Sequence, residues 1–449
     1  MTLHGPTSEA YAERRQAVRA DLAPEAVLFV PEMPEAVYSN DVHFAYRPET
    51  NLRYLSGFEE PAALILTCHG GEEDGFTLCV RPRDEQSETW TGRRIGVDAA
   101  RSLYGADYSY PVDRTWEVLL AHLRRAGKLY YAHSRDPQVN QKVLELVHQA
   151  NGERPRRGGE PLVVAEAAPL LAKHRLRKRP EEIDLMRAAG RISGAAHRRL
   201  METLQPGWRE YQAQALLDYE FRFNGCGGPA YGTICAGGVN ATVLHYTRND
   251  DTMRDGDLLL VDAGGEYGGY CSDITRTFPI GATFSAAQAA LYDLVLAAQH
   301  AAIELIRPGV TIEDVHKTAV RHLTQGLIDL GIIEGSLEEC IEQSRHSPFY
   351  MHNTSHWLGM DVHDAGVYRR DGASVVLEPG MVLTVEPGLY MRMDAPAPEQ
   401  YRGIGIRIED DVLVTADGGE VLSQSAPKQR AEIEALRRAA HSGKRSAPR

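Results

Sequence analysis

The chain has 449 residues, 25% of them charged and 43% hydrophobic, with a formal net charge of -13. That length supports two domains with separate cores, and the acidic balance argues against nucleic acid, which needs a basic face to neutralise phosphates. No stretch reaches the roughly 18 apolar residues that span a bilayer, and the start, MTLHGPTSEA, carries no apolar signal core, so a cytoplasmic protein with no membrane or nucleic-acid partner is expected.

From about residue 8 to 150, helical stretches such as Ser8–Leu22 alternate with short apolar runs at Ala26–Val30, Ala62–Cys68, Phe76–Arg81 and Leu129–Ala132, which predicts an α/β domain. A polar, turn-rich segment at 151–160 and the basic run Lys173–Arg179 precede a fresh helix start at Pro180-Glu181-Glu182. The boundary is therefore placed near residue 178, giving domains 1–178 and 179–440. The isolated basic run reads as a solvated linker and not as a nucleic-acid patch. The second domain should open on an amphipathic helix, Glu181–Leu204, burying Ile183, Met186, Ile192 and Leu200. A second long helix, Ser285–Ile306, is stopped by Pro308-Gly309. Helices outside an antiparallel sheet make this domain α+β. Residues 441–449 read as a disordered tail.

Within that second domain, acids recur where an apolar strand meets a turn. Asp-Leu-Leu-Leu-Val-Asp262-Ala-Gly-Gly is a buried run closed by a carboxylate and glycines, and after Gly264, Gly265, Gly268 and Gly269 the chain resumes as Tyr-Cys-Ser-Asp273-Ile-Thr-Arg. A hairpin would set Asp273 opposite Asp262, with Cβ atoms roughly 5 Å apart, the span two carboxylates need to share a pair of metals. Taken alone this could equally be an Asp- and Gly-rich surface turn. The device repeats at Met381–Val385, which runs into Glu386-Pro387-Gly388. In Gly403–Glu409, Ile404, Ile406 and Ile408 face one way while Gly405, Arg407 and Glu409 face the other. Arg407 and Glu409 could be an ordinary exposed pair, but the small Gly405 suggests a close approach on that face.

The histidines cluster at His352, His356 and His363, with His245 arriving separately. The spacing of His352 and His356 would suit a zinc-protease helix, but no Glu follows His352, so that reading lacks its general base and is rejected. Asp262, Asp273, His356, Glu386 and Glu409 form an oxygen-rich donor set suited to two hard divalent cations, unlike the His- and Cys-rich sets of structural zinc. The chain thus reads as a two-metal hydrolase. Its six cysteines show no metal spacing and are too sparse for a disulfide framework, so buried reduced thiols are expected.

The motifs VDAGG, SDITRT, HNTSHWLGMDVHD, TVEPGLY and IRIED, in this order, resemble the pita-bread metallopeptidases, and within them the bacterial aminopeptidase P group of Xaa-Pro aminopeptidases. The resemblance covers nearly the whole chain and implies a pita-bread catalytic domain with internal pseudo-twofold symmetry, preceded by a smaller α/β domain. It implies that Asp262 binds one metal, that Asp273 and Glu409 contact both, and that His356 and Glu386 complete the other. The metals would be two Mn2+ ions, other divalent ions being possible, holding a bridging hydroxide as nucleophile, with Glu386 as proton shuttle. It further places His245, His352 and His363 as donors around the scissile bond, Arg407 as a balancing charge, and Tyr390 in the substrate pocket. Asn353 departs from the glycine of close relatives, which puts the local backbone there in doubt but not the ligands. Trp90, in the N-terminal domain, matches a tryptophan that approaches an active site, though core packing is an equal reading. The implied partners are peptides with N-terminal Xaa-Pro and further copies of the chain, as tetramer or dimer. Two rivals stay open: a prolidase, which prefers Xaa-Pro dipeptides, and a metal-free binding protein on the same fold.

Overall fold

The computed structural model describes residues 5–68, 74–131, 133, 136–154 and 160–442. The chain forms two compact units, residues 1–175 and 176–449. Half of the turn-rich segment 151–160 and nearly all of the expected tail lie outside the described residues, as does Ala132.

In the first unit, Ala26–Val30 forms one of the inner strands of a six-stranded mixed sheet ordered Tyr108–Pro111, Phe76–Val80, Ala62–Cys68, Ala26–Val30, Lys128–Tyr131, Val163–Glu166. Every residue of Ala26–Val30 is buried, which is why its sequence shows no alternation. It pairs antiparallel with Ala62–Cys68 and parallel with Lys128–Tyr131. Val118, Leu119 and Leu123 of the helix Thr115–Leu123, and Val143, Leu146 and Ala150 of the helix Pro137–Glu153, pack on Val27, Phe29, Ala63 and Ile65. The expected α/β domain is present.

The second unit opens on the helix Pro180–Thr203, which buries Met186 and Leu200 fully and Ile183 and Ile192 in part. A plan then occurs twice along the chain. The helices Pro180–Thr203 and Glu210–Phe223 are followed by the antiparallel sheet Ile234–Gly237, Leu258–Asp262, Thr275–Pro279; the helices Ala286–Leu305 and Ile312–Asp329 are followed by the antiparallel sheet Val382–Val385, Asp410–Val414, Gly419–Val421. Gly388–Met391 pairs with Ile404–Arg407 beside the latter. The helix Ala286–Leu305 starts at a Ser285 capping box, in which Ser285 Oγ accepts from the Gln288 N–H at 3.2 Å. Its buried face, with Leu291, Tyr292 and Val295, joins the core formed with Leu259, Val261, Phe278, Leu389 and Ile406. Antiparallel sheets covered by helices make this unit α+β.

One register differs from expectation. Asp262 pairs with Thr275, two residues beyond Asp273. The intervening Gly265–Tyr267 and Tyr270–Cys271 leave the sheet as a second hairpin that pairs with Gly228–Pro229. The departure point is Gly264, where a Cβ would lie 1.9 Å from the Ser272 carbonyl oxygen. Asp273 therefore sits in the returning connection, not on a strand facing Asp262.

Candidate active site

Asp262, Asp273, His356, Glu386, Glu409, His245, His352, His363 and Arg407 all line one cavity of about 770 Å³ in the second unit. Each carboxylate is delivered by rigid backbone. Asp262 ends the buried strand Leu258–Asp262. The Asp273 N–H donates to both carboxylate oxygens of Asp411, at 3.1 and 3.2 Å. Glu386 follows the strand Val382–Val385, its N–H bonded to the Thr354 carbonyl at 2.9 Å. Glu409 lies just past the strand Ile404–Arg407; its N–H donates to the Thr275 carbonyl at 3.0 Å and its Oε2 accepts from Thr275 Oγ1 at 2.6 Å. The close approach signalled by Gly405 is the backbone of 241–242, since a Cβ would stand 2.0 Å from the Ala241 carbonyl oxygen.

His352 and His356 lie in an irregular segment, not a helix, in agreement with rejecting the zinc-protease arrangement. The His356 Nδ1–H donates to the Trp357 carbonyl at 3.1 Å, which turns Nε2 toward Asp273 Oδ2 at 3.4 Å and Glu386 Oε1 at 3.7 Å. Asp273, His356 and Glu409 each offer a ligand atom within 4.8 Å of the others. Asp262 is joined to this trio by Tyr231, whose hydroxyl lies 2.6 Å from Asp262 Oδ1 and 2.5 Å from Asp273 Oδ1. Arg407 crosses behind: Nη2 donates to Asp262 Oδ2 at 2.6 Å, Nε to Thr275 Oγ1 at 3.1 Å, and Nη1 to the Tyr390 hydroxyl at 2.9 Å.

Two placements differ from the sequence reading. Tyr390 is fully buried one layer behind the cavity wall; its hydroxyl, already accepting from Arg407, lies 2.8 Å from His352 Nε2. Tyr390 thus acts on His352 and Arg407 and does not line the pocket. His352 has its other nitrogen 2.8 Å from the Asn353 carbonyl, so both ring nitrogens are engaged. Among the described residues His245 and His363 form no hydrogen bond, and the His363 ring meets that of His356 edge-on at 4.5 Å. The segment carrying His245 is held by the buried Glu210 carboxylate, which accepts from the Gly237 and Asp251 N–H groups, Asn240 Nδ2 and the Tyr246 hydroxyl at 2.7–3.1 Å. Trp90 belongs to the first unit, 85% exposed on the short helix Glu85–Thr91, which excludes the core-packing reading within its own unit.

Burial sets the electrostatics. It raises the pKa of Asp262, against the pull of Arg407, pushes Glu386 up to about 8, and with the charges of Asp273 and Glu386 drives Glu409 well above the carboxylate range. Burial would lower His356, but its hydrogen bond to Asp273 and the charges of Asp273 and Glu386 outweigh that and raise it to about 9. Those same His356 interactions overcome burial to hold Asp273 low. His352 falls to about 4 through burial and the charge of Arg407. Four carboxylates thus share one cavity with more negative charge than Arg407 and His356 offset, and buried charge of that kind is compensated by protons or by cations. Four carboxylates with one imidazole, a donor set dominated by oxygen, fit hard divalent cations.

A family model described as metallopeptidase family M24 matches residues 184–416, and one described as the aminopeptidase P N-terminal domain matches residues 11–130. A protein of Escherichia coli (strain K12) named Xaa-Pro aminopeptidase is 43% identical, the match spanning 95% of this chain and 97% of that one. One of the same name from Haemophilus influenzae is 40% identical over the same shares. Among solved structures, an aminopeptidase of Pseudomonas aeruginosa aligns with a TM-score of 0.94 and 42% identity over 98% of this chain and all of that one. Aminopeptidase P from Escherichia coli, solved with the inhibitor Pro-Leu, aligns with a TM-score of 0.93 and 42% identity, covering 98% and 100%. With this agreement over sequence, fold and cavity, the chain belongs to metallopeptidase family M24, as a pita-bread enzyme of the aminopeptidase P branch.

Proposed function

We propose that this metallo-aminopeptidase releases the N-terminal residue from peptides with proline in second position, using two divalent cations, Mn2+ in the first place, held by Asp262, Asp273, His356, Glu386 and Glu409. The observation that carries this reading is the convergence of four buried carboxylates and the His356 Nε2 on one cavity, in a chain whose relatives named Xaa-Pro aminopeptidase match it nearly end to end. When bound, the cations offset the carboxylate charge and lower the pKa of a water so that it serves as nucleophile at neutral pH. Loading them requires His356 to lose its proton, so binding should release protons.

The chain's own groups divide the remaining work. Glu386, at the edge of the proposed metal pair, takes a proton from the nucleophile and passes it to the leaving nitrogen. His245 and His363, with ring nitrogens uncommitted among the described residues, donate to the carbonyl under attack and to the one beyond it. His352 is oriented by Tyr390 and the Asn353 carbonyl and shapes the proline side of the pocket, while Arg407 favours the ionised form of Asp262 against the effect of burial.

The N-terminal unit serves assembly and specificity. It exposes Trp90 and, on the hairpin Val37–His43, the apolar Val37, Tyr38 and Val42, apolar side chains suited to contact with other copies in a dimer or tetramer. Among the described residues no helix is long and apolar enough to cross a membrane. All six cysteines are unpaired, five of them buried, which supports a reducing, cytoplasmic setting.

The test is hydrolysis of Arg-Pro-Pro and of Arg-Pro by metal-stripped protein, with and without Mn2+, following released arginine. Mn2+-dependent cleavage of the tripeptide with slow dipeptide turnover is expected, and Glu386→Ala should abolish it in a folded protein. Cleavage of the dipeptide alone would make the enzyme a prolidase, and full activity in Glu386→Ala would overturn the site assignment.

A further inference from the structure

The strands that carry Glu386 and Glu409 are not paired where those ligands sit. One ladder, Val382–Val385 against Asp410–Val414, ends with Val385 opposite Asp410. The other, Gly388–Met391 against Ile404–Arg407, begins with Gly388 opposite Arg407. Glu386 and Glu409 lie in the gap, which one long backbone bond crosses among the described residues, from the Ile408 N–H to the Pro387 carbonyl at 3.3 Å. A buried side chain fills it from the helix Ala286–Leu305. Gln299, with no exposed surface, points its amide nitrogen at the Val385 carbonyl (3.3 Å), the Ile408 carbonyl (3.2 Å) and Asp410 Oδ2 (3.0 Å). Val385 and Ile408 immediately precede the two glutamates.

The amide cannot turn over. Its oxygen accepts from Lys428 Nζ at 2.9 Å, and Lys428 also donates to Asp410 Oδ2 at 2.6 Å. Asp410 is held on its other oxygen by Arg276 Nη2 at 2.6 Å, and Arg276 Nη1 donates to the Glu409 carbonyl at 2.5 Å. With Lys428 on the oxygen, the NH2 group is the side that faces both carbonyls. A buried amide is tolerated only when its hydrogen bonds are made, and here they are made to the strand ends bearing two proposed ligands.

We propose that Gln299, oriented by Lys428, is a positioning residue for the metal pair: its amide replaces the missing backbone bonds and fixes the spacing of Glu386 and Glu409. The inference rests on reading those two glutamates as ligands. Gln299 touches neither cavity nor ligand side chain and acts through the backbone spacing of the two ligands; groups that bond ligand side chains directly change metal affinity by about 10- to 100-fold, and the lower end of that range is expected here.

The test titrates Mn2+ into metal-stripped protein by calorimetry, comparing wild type with Gln299→Met, which keeps the volume and removes the donors. A loss of about 10-fold or more in affinity, with an unchanged circular dichroism spectrum, is expected. Val295→Ala, one turn earlier on the same buried helix face, is the control for simple loosening of the core: it should lower the melting temperature and leave Mn2+ affinity alone. Wild-type affinity in Gln299→Met, or an equal loss in Val295→Ala, would reduce Gln299 to ordinary core packing and overturn the proposal. Should Gln299→Met fail to fold, Lys428→Met decides, since it frees the amide to rotate: weakened Mn2+ binding supports the proposal and unchanged binding overturns it. Absence of Mn2+ binding to the wild type would instead remove the ligand reading, and the positioning role with it.

Discussion

His197 gives a pH dependence whose sign and size follow from the structure. The ring is completely buried in the helix Pro180–Thr203. Its Nε2–H donates to the carbonyl of Ala263, the residue after Asp262, at 2.8 Å, while Nδ1 has no hydrogen-bond partner among the described residues. Protonation would place a second N–H, and a charge, where nothing accepts it. Burial accordingly lowers the pKa from 6.5 to about 4, with the nearby positive charge of Arg276 adding to it and the Ala263 bond opposing. Between those values the unfolded chain binds a proton that the folded chain does not, so stability falls as pH falls, by about 1.4 kcal/mol per pH unit. The full effect amounts to about 3 kcal/mol, most of it lost by pH 4.5. His197→Gln keeps a donor for Ala263 and does not titrate. The assay is urea unfolding of metal-free protein from pH 7.5 to 4.5, in a Trp90→Phe, Trp116→Phe background so that fluorescence reports Trp208 and Trp357 of the second unit. Other groups titrate in both proteins and cancel in the difference. The variant should lose about 2–3 kcal/mol less than the wild type over this range; parallel curves would refute the argument.

Two further outcomes follow from the site's packing. Arg407→Met leaves the Asp262 carboxylate buried without its partner, a loss that typically costs about 3–5 kcal/mol; bound cations would replace that partner, so urea unfolding should show most of the cost without Mn2+ and little with it, and equal costs in both states would contradict the charge balance. Gly405→Ala drives a Cβ into the backbone at Ala241, which cannot yield as a side chain could, so about 1–3 kcal/mol should be lost and turnover should drop through the segment leading to His245. A melting temperature and kcat equal to wild type would show that the 241–242 backbone moves freely.

How far the sequence revealed this site depends on where each group lies relative to its own strand. Asp262 and Glu386 were legible because an unbroken apolar run closed by an acid and glycine marks a buried strand with a carboxylate at its tip, and both sit at strand ends as expected. Arg407 was legible from alternation, and Gly405 from the space it leaves. Asp273 was placed in the wrong register because the glycines suggested one hairpin where the chain makes two, the second pairing with Gly228–Pro229 and departing at Gly264, where the Ser272 backbone leaves no room for a Cβ. Tyr390 stood in the right motif but on the wrong side of the wall, since a residue beside a turn carries no local mark of the face it takes. Tyr231, Thr275 and Asp411, which hold the acids in place, were not singled out at all: a tyrosine after Pro-Ala, a threonine opening the mixed strand Thr275–Pro279 and a second acid after Glu409 have no periodic signature.

The reason these groups escape local reading is also the reason the site needs them. A backbone ladder fixes its residues but uses the donors and acceptors of both strands, so ligands that must converge from several strands sit where ladders stop. At Glu386 and Glu409 the two ladders leave a gap, and at Asp273 the hairpin has left its sheet. The polar groups freed there must still be satisfied when buried. Thr275 meets Glu409 across a separation of 134 residues, Asp411 meets Asp273 across 138, and Gln299 meets Ile408 across 109. Local pattern specifies the strands, and therefore the acids at their tips. The hydroxyls and amides that replace the interrupted ladders are specified by how the strands meet, which is why the ligand residues could be read from motifs while the residues that space them emerge only from the folded chain.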